Sequence, residues 1–216
     1  LSQKTLAHCV EKILKLGATP LVIGGGHETS WGHLQGLFSR AINPNIVNFD
    51  AHFDLRPLLQ GKLGSSGTPF FQAFNYLKSR EKEFSYNCIG IQPYSNTSSL
   101  FSFAKEIEVN YLLAEKIRKA PFDLSFLEEV YEKRKKQPIY ITVCLDVFNA
   151  AIAPGVSSRQ ALGIFPDHVL ESLKFLKKTK KVVSLDFVEL NPKRDKDNIT
   201  AKLASLLVAE YLHSAE

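Results

Sequence analysis

Asn48-Phe49-Asp50-Ala51-His52-Phe53-Asp54 follows directly on the β-branched pair Ile46-Val47 and packs two carboxylates and an imidazole into the five residues from Asp50 to Asp54. A strand turns alternate side chains the same way, so Asp50, His52 and Asp54 can share one side where the strand ends. Two chemistries fit. Asp50 or Asp54 can cap a following helix, with His52 merely exposed. Alternatively, hard carboxylate oxygens and one borderline imidazole form a ligand set for Mn2+, Zn2+ or Fe2+. The stretch alone admits both.

Working outward, residues 5–16 carry Leu6, Val10, Ile13 and Leu14 at helical spacing, and Gly17 is a natural stop. Residues 20–23 read as a short buried strand opening into Gly24-Gly25-Gly26-His27-Glu28-Thr29, whose glycines permit a sharp turn. Their spacing is not the G-x-G-x-x-G dinucleotide fingerprint. A helix over 29–41 leads to a strand over 45–49. Residues 55–69 form a long loop rich in Gly and Ser, a length that compact domains usually keep for function. A helix at 70–80 and a strand at 86–91 follow. Tyr94-Ser95-Asn96-Thr97 opens a helix ending near Lys105, and 109–112 is a short strand. The pattern continues with a helix at 124–136 and a strand at 139–143 that runs into Cys144-Leu145-Asp146. After the loop Ala153-Pro154-Gly155-Val156-Ser157 come a helix at 166–178 and a strand at 182–185 ending in Asp186-Phe187-Val188-Glu189. A last helix spans 198–211, with Asn198 as its cap.

Strands rich in Val and Ile alternating with helices predict a three-layer α/β/α domain over residues 1–216, built on a mainly parallel sheet. Sites in such sheets form beyond the carboxyl ends of the strands. His27, the Asp50 cluster, Cys144 with Asp146, and Glu189 all fall at that edge. Their convergence favours metal ligation over capping.

Of the 216 residues, 44% are hydrophobic and 23% charged, as in an ordinary soluble globular protein. The net charge of +5 comes from scattered cations and from runs such as Lys133-Arg134-Lys135-Lys136, read as solvated helix ends. No aromatic-interleaved basic motif points to nucleic acid. A small anionic substrate suits the same balance. Cys9, Cys88 and Cys144 lack paired spacing and read as apolar-context thiols of a reducing cytoplasm. No membrane-length apolar run and no signal peptide is visible. The chain begins at Leu1 and contains no methionine, so a strand or two is expected to precede it.

With these residues in place the chain resembles the ureohydrolase family, the arginase and agmatinase group, from Gly24 to the C-terminal helix. Gly24-Gly25-Gly26-His27-Glu28 is similar to that family's glycine-rich histidine segment, and Asp50-Ala51-His52-Phe53-Asp54 to its D-A-H-x-D motif. Thr142-Val143-Cys144-Leu145-Asp146 is similar to its Ser/Thr-x-Asp-x-Asp motif. Leu185 to Pro192 resembles its late glutamate motif. The resemblance implies one or two Mn2+ ions on His27, Asp50, His52, Asp54, Cys144 and Asp146, with Asp50 bridging. Cys144 replaces the family's second bridging aspartate, so a second ion is expected to be held weakly. The resemblance also implies that Glu189 holds the substrate's amidine nitrogen and that Asp54 relays a proton.

Asn48 to Arg56, Ser65-Ser66-Gly67-Thr68-Pro69-Phe70, Tyr94-Ser95-Asn96-Thr97 and Ala153 to Ser157 have the look of the branch acting on N-formimidoyl-glutamate. Arginases carry a proton-shuttling histidine about where Ser66 lies, which counts against arginase proper. The resemblance therefore implies hydrolysis of N-formimidoyl-L-glutamate to L-glutamate and formamide, with Arg56, Ser66, Thr68, Asn96 and Glu189 on the substrate. A guanidinium such as Arg56 can grip a carboxylate through two parallel hydrogen bonds. Agmatinase- or guanidino-acid hydrolase-like activity is one rival. A metal-binding relative without catalysis is the other, and Cys144 is its best argument. No nucleic-acid or membrane partner is implied, and a homo-oligomer is compatible with the reading. His33 is expected to pack its helix, His8, His168 and His213 to be ordinary, Cys88 to be core, and Asp186 to be a structural hydrogen-bonding group. Ser157 and Ser158 lack a histidine–carboxylate set in the sequence, which argues against a serine nucleophile.

Overall fold

The computed structural model describes residues 2–214. Its strands are β1 (Leu21–Ile23), β2 (Asn45–Phe49), β3 (Ser85–Ile91), β4 (Asn110–Leu113), β5 (Ile139–Cys144) and β6 (Val182–Val188). Its helices are α1 (Ser2–Lys15), α2 (Thr29–Ser39), α3 (Pro69–Lys78), α4 (Ser98–Glu106), α5 (Ala114–Lys119), α6 (Ser125–Arg134), α7 (Pro166–Lys178) and α8 (Ile199–His213). The strands form one sheet in the order β1-β6-β5-β2-β3-β4, and every neighbouring pair is parallel.

The period-two alternation of each strand builds two cores. Val47 and Phe49 of β2, Ile139, Ile141 and Val143 of β5, and Leu185 and Phe187 of β6 share one face with Ile117, Leu127, Leu173, Leu176 and Leu207 of α5–α8. Ile46, Tyr86, Cys88 and Tyr140 share the other with Leu34, Leu37, Phe70, Ala73, Leu100 and Ala104 of α2–α4. Burying each large apolar side chain is worth about 1.5–3 kcal/mol. These two faces therefore hold the three layers together.

From β2 the chain steps outward to β3 and β4, then returns to β5 on the other side of β2 and ends beside β1. The reversal lies between β2 and β5, so a crevice opens where their carboxyl ends part. Two glycines permit close approaches in the α1–α2 region. Gly25 has φ of +73°, and a Cβ there would collide with Thr29 Oγ1. A Cβ on Gly36 would meet Val10 side-chain atoms at 2.7 Å, so glycine lets α1 lie close against α2.

The structure amends the sequence reading in several places. Residues Ala114–Lys119 form a helix that periodicity over so short a stretch did not signal. β6 runs on to Val188, so Asp186 lies inside the strand and not beyond it. Asn198 occupies the N-cap position of α8 but makes no side-chain cap bond. Asp195 caps instead, its two carboxylate oxygens accepting the Thr200 and Ala201 N–H groups at 2.9 Å each. Cys9 is exposed on α1, whereas Cys88 and Cys144 are buried, and all three thiols are free. Among the described residues no helix is long and apolar enough to cross a membrane.

Candidate metal centre

The carboxyl ends of β1, β2, β5 and β6 bring together residues that lie far apart in the chain. The Asp50 N–H donates to the Ile89 carbonyl at 3.0 Å, extending the β2–β3 ladder by one residue and seating Asp50 at the crevice. Glu189 donates its N–H to Gly25 O at 2.9 Å, and its Oε1 accepts the His27 N–H at 2.7 Å. The turn after β1 and the end of β6 are thereby clamped to each other. Asp54 and Glu189 both have positive φ, 49° and 71°. Non-glycine residues hold such backbone only where the surroundings impose it, and such sites cluster where function fixes a side chain.

His27 Nδ1 lies 2.8 Å from Asp50 Oδ2 and 2.8 Å from Asp54 Oδ2. It is aligned for a hydrogen bond with neither. His52 Nδ1 lies 3.3 Å from Asp50 Oδ1 and 3.2 Å from Asp146 Oδ2. Donor atoms of His27, Asp50 and Cys144 fall within 4.8 Å of one another, and so do those of Asp50, His52 and Asp146. Asp50 belongs to both sets. An imidazole nitrogen buried between carboxylates, without an aligned hydrogen bond, suits a shared cation better than a proton. The carboxylates and imidazoles fit hard-to-borderline divalent ions, while the Cys144 thiol is a softer donor.

Electrostatics point the same way. Burial opposes a charge on His27, but the carboxylates of Asp50 and Asp54 outweigh it and hold its pKa well above the usual range. Burial likewise opposes a charge on His52, yet Asp146 and Asp50 push its pKa up to about 11. Burial opposes ionisation of Asp50 too, but His27 and His52 keep its pKa below the ordinary carboxylate range. Burial and then the Asp50 charge raise Asp54 to about 6, and the same two causes raise Asp146. Burial, then the charges of Asp146 and Asp50, drives the Cys144 thiol well up. Without a cation the imidazolium protons do not satisfy every carboxylate here. Added positive charge would relieve the frustration.

A cavity of about 240 Å³ opens onto this cluster. Of the residues the sequence singled out, His27, His52, Asp54, Arg56, Ser66, Cys144, Asp146 and Glu189 line it, and Asp50 sits beneath at 0% exposure. Thr68 and Asn96 stand apart. Thr68 Oγ1 accepts the Ser65 N–H and donates into the same loop, holding the 65–68 turn closed. Asn96 accepts the Phe53 N–H at 3.0 Å and donates to the Ala51 and Gln92 carbonyls at 2.9 Å each. It braces the chain on both sides of His52 from outside the cavity.

Ser65, Gly67, Ser157 and Ser158 also line the cavity. Nothing near Ser158 in the sequence offers a histidine–carboxylate set, but the fold supplies one. His52 Nε2 lies 3.2 Å from Ser158 Oγ, while Nδ1 faces Asp146. Only the return of the 153–160 loop over the sheet edge creates that contact. Asp50 also faces the same Nδ1, so the ring's position suits a nitrogen donor of a cation cluster, with Ser158 on its far side.

The chain belongs to the arginase family, whose sequence model matches residues 2–213. Within it, a formimidoylglutamase of Legionella pneumophila (strain Lens) is 44% identical over 214 residues. That match covers 98% of this chain and 66% of the relative, so the chain spans a little under two-thirds of its length. An arginase from Bacillus subtilis superposes with a TM-score of 0.86 at 25% identity, over 99% of this chain and 78% of that one. The fold of a formimidoylglutamase from Bacillus subtilis subsp. subtilis str. 168 matches with a TM-score of 0.86 at 24% identity, over 98% and 66% of the two chains.

Proposed function

We propose that the chain hydrolyses the C–N bond of a linear amidine, N-formimidoyl-L-glutamate with water giving L-glutamate and formamide, at a pair of Mn2+ ions. The observation that carries this reading is Asp50, a buried carboxylate common to two donor sets at the floor of a polar cavity. Similarity to formimidoylglutamase over nearly the whole chain supports the substrate. His27, Asp50, Asp54 and Cys144 would hold one ion, and Asp50, His52 and Asp146 the other. A bound dication pair lowers the pKa of water so that hydroxide is available near neutral pH.

The chain's own residues then have defined tasks. Glu189 commits Oε1 to the His27 N–H, which orients its carboxylate to receive the cationic amidine nitrogen over the cavity. Asp54 faces the same space and takes the proton released as water adds to the amidine carbon. It returns that proton to the glutamate nitrogen as the C–N bond breaks. Arg56 and the Ser65-Ser66-Gly67 wall would receive the substrate carboxylates. A small anionic amidine is the partner that this lining suits.

The test is turnover of a panel containing N-formimidoyl-L-glutamate, agmatine, a guanidino acid and arginine by the Mn2+-loaded protein. Preference for the first supports the reading. Preference for a guanidine replaces it with a guanidine-hydrolase reading, and metal binding without turnover of any member replaces it with a non-catalytic one.

A further inference from the structure

Behind the cavity lies a hydrogen-bonded array that the reaction does not touch. Asp186 is fully buried on β6, and its Oδ2 accepts the Tyr140 hydroxyl and, at 3.4 Å, Ser30 Oγ, with His33 Nδ1 2.8 Å away. Ser30 Oγ lies 3.4 Å from Thr142 Oγ1, and Thr142 Oγ1 lies 3.0 Å from His27 Nε2. Ser30, Thr142 and Asp186 are buried, and none of them lines the cavity.

We propose that Asp186, acting through Ser30 and Thr142, sets which nitrogen of His27 is free to bind metal. The inference rests on the metal-centre reading above and concerns residues outside the ligand set. The Tyr140 and Ser30 hydroxyls both donate to that oxygen, which marks Asp186 as the acceptor that ends the array. Burial opposes a charge on Asp186, but His33 beside it holds the pKa below the usual range.

A hydroxyl owns a single proton. Ser30 gives its proton to Asp186, so at the next link it can only accept, and Thr142 must donate to it. Thr142 has then spent its own proton, so toward His27 it can only accept, and Nε2 must carry the hydrogen. A neutral imidazole has one N–H, so Nδ1 is left as a lone pair facing Asp50 and Asp54. The opposite tautomer would set the Nε2 lone pair against an oxygen with no proton to offer. The Phe70 ring, edge-on to His27 with centroids 5.2 Å apart, holds the imidazole in that plane.

His52 has no such backing. Its Nε2 meets Ser158 Oγ on the cavity wall, where solvent can substitute for the hydroxyl. The array therefore acts on one of the two histidines. Ser30, Thr142 and Asp186 are positioning residues, because none of them reaches the substrate.

The test compares the full chain with Thr142→Val, Thr142→Ser and Ser30→Ala. Mn2+ affinity is measured by chelator competition, and the imidazole nitrogens of His27 are read by 15N NMR in the Zn2+-loaded, diamagnetic protein. Loss of a partner that orients a metal-bound histidine typically weakens metal binding about 10–100-fold. Thr142→Val should fall in that range, Ser30→Ala should lose less, and Thr142→Ser should bind as the unmodified chain does. In the unmodified protein the His27 proton should sit on Nε2, with a downfield, slowly exchanging resonance that moves upfield in Thr142→Val. Metal affinity unchanged in both Thr142→Val and Ser30→Ala, or a proton found on Nδ1, would overturn the proposal. If Thr142→Val fails to fold, Ser30→Ala and the spectrum of the unmodified protein still decide. Absence of Mn2+ and Zn2+ binding by the unmodified chain would instead remove the metal-centre reading, and the relay with it.

Discussion

Replacing Arg56 by alanine should cost substrate affinity in a way that depends on the substrate's carboxylates. Arg56 donates its backbone N–H to Gly67 O at 2.9 Å, and a Cβ on Gly67 would approach Arg56 Cδ to 2.9 Å. The arginine stem is thus laid along the Ser65-Ser66-Gly67 wall, with its head at the cavity. A hydrogen bond to a charged group contributes about 1.5–3 kcal/mol. Arg56 is exposed, and water weakens such contacts, so the lower end applies. That loss is roughly tenfold in kcat/KM. Steady-state kinetics of Arg56→Ala should show it for N-formimidoyl-L-glutamate, mostly in KM, and not for an N-alkyl formamidine lacking carboxylates. Gly67→Ala should mimic part of the effect by displacing the stem. Equal losses on both substrates, or none on the glutamate derivative, would refute this reasoning.

Other consequences are as direct. Cys144→Asp should raise Mn2+ stoichiometry at limiting metal and lessen the activation by excess Mn2+, because hard oxygen replaces a soft thiol whose ionisation burial opposes; matching titrations of the two proteins would argue against a weak second site. The pKa of His27 is raised well above its usual value and that of His52 to about 11, so in the metal-free chain both carry protons through the neutral range. Metal must displace those protons, so apparent Mn2+ affinity should rise with pH and fall on acidification. Calorimetry in buffers of different ionisation enthalpy should register the release, and a pH-independent affinity would contradict it. Asp195→Ala removes the two-pronged cap of α8 and should lower stability by about 0.5–2 kcal/mol, read by denaturant unfolding, while leaving metal affinity unchanged.

Much of this architecture is legible in the chain because parallel strands and amphipathic helices write distinct periods. β2 and α7 have the expected extents, and every ligand candidate lies at a strand's carboxyl end. What escaped is the part that depends on contacts between distant segments. Ser158 reaches His52 across 106 positions, and Thr142 reaches His27 across 115. No local pattern announces either pairing. Thr68 and Asn96 look like substrate groups because they are polar and flank the motifs. Only the folded loops show their side chains satisfied by nearby backbone. Asp186 reads in the sequence as a structural hydrogen-bonding group, and the fold names its partners, Ser30 and His33 on α2.

The central claim is that Asp50 joins two metal sites at the floor of the cavity. Anomalous-difference diffraction at the manganese absorption edge, from crystals of the Mn2+-loaded protein, tests it most directly. The account predicts a pair of peaks flanking Asp50, one among His27, Asp54 and Cys144 and the other among His52 and Asp146. A peak elsewhere, or no density beside Asp50 at saturating Mn2+, would contradict it.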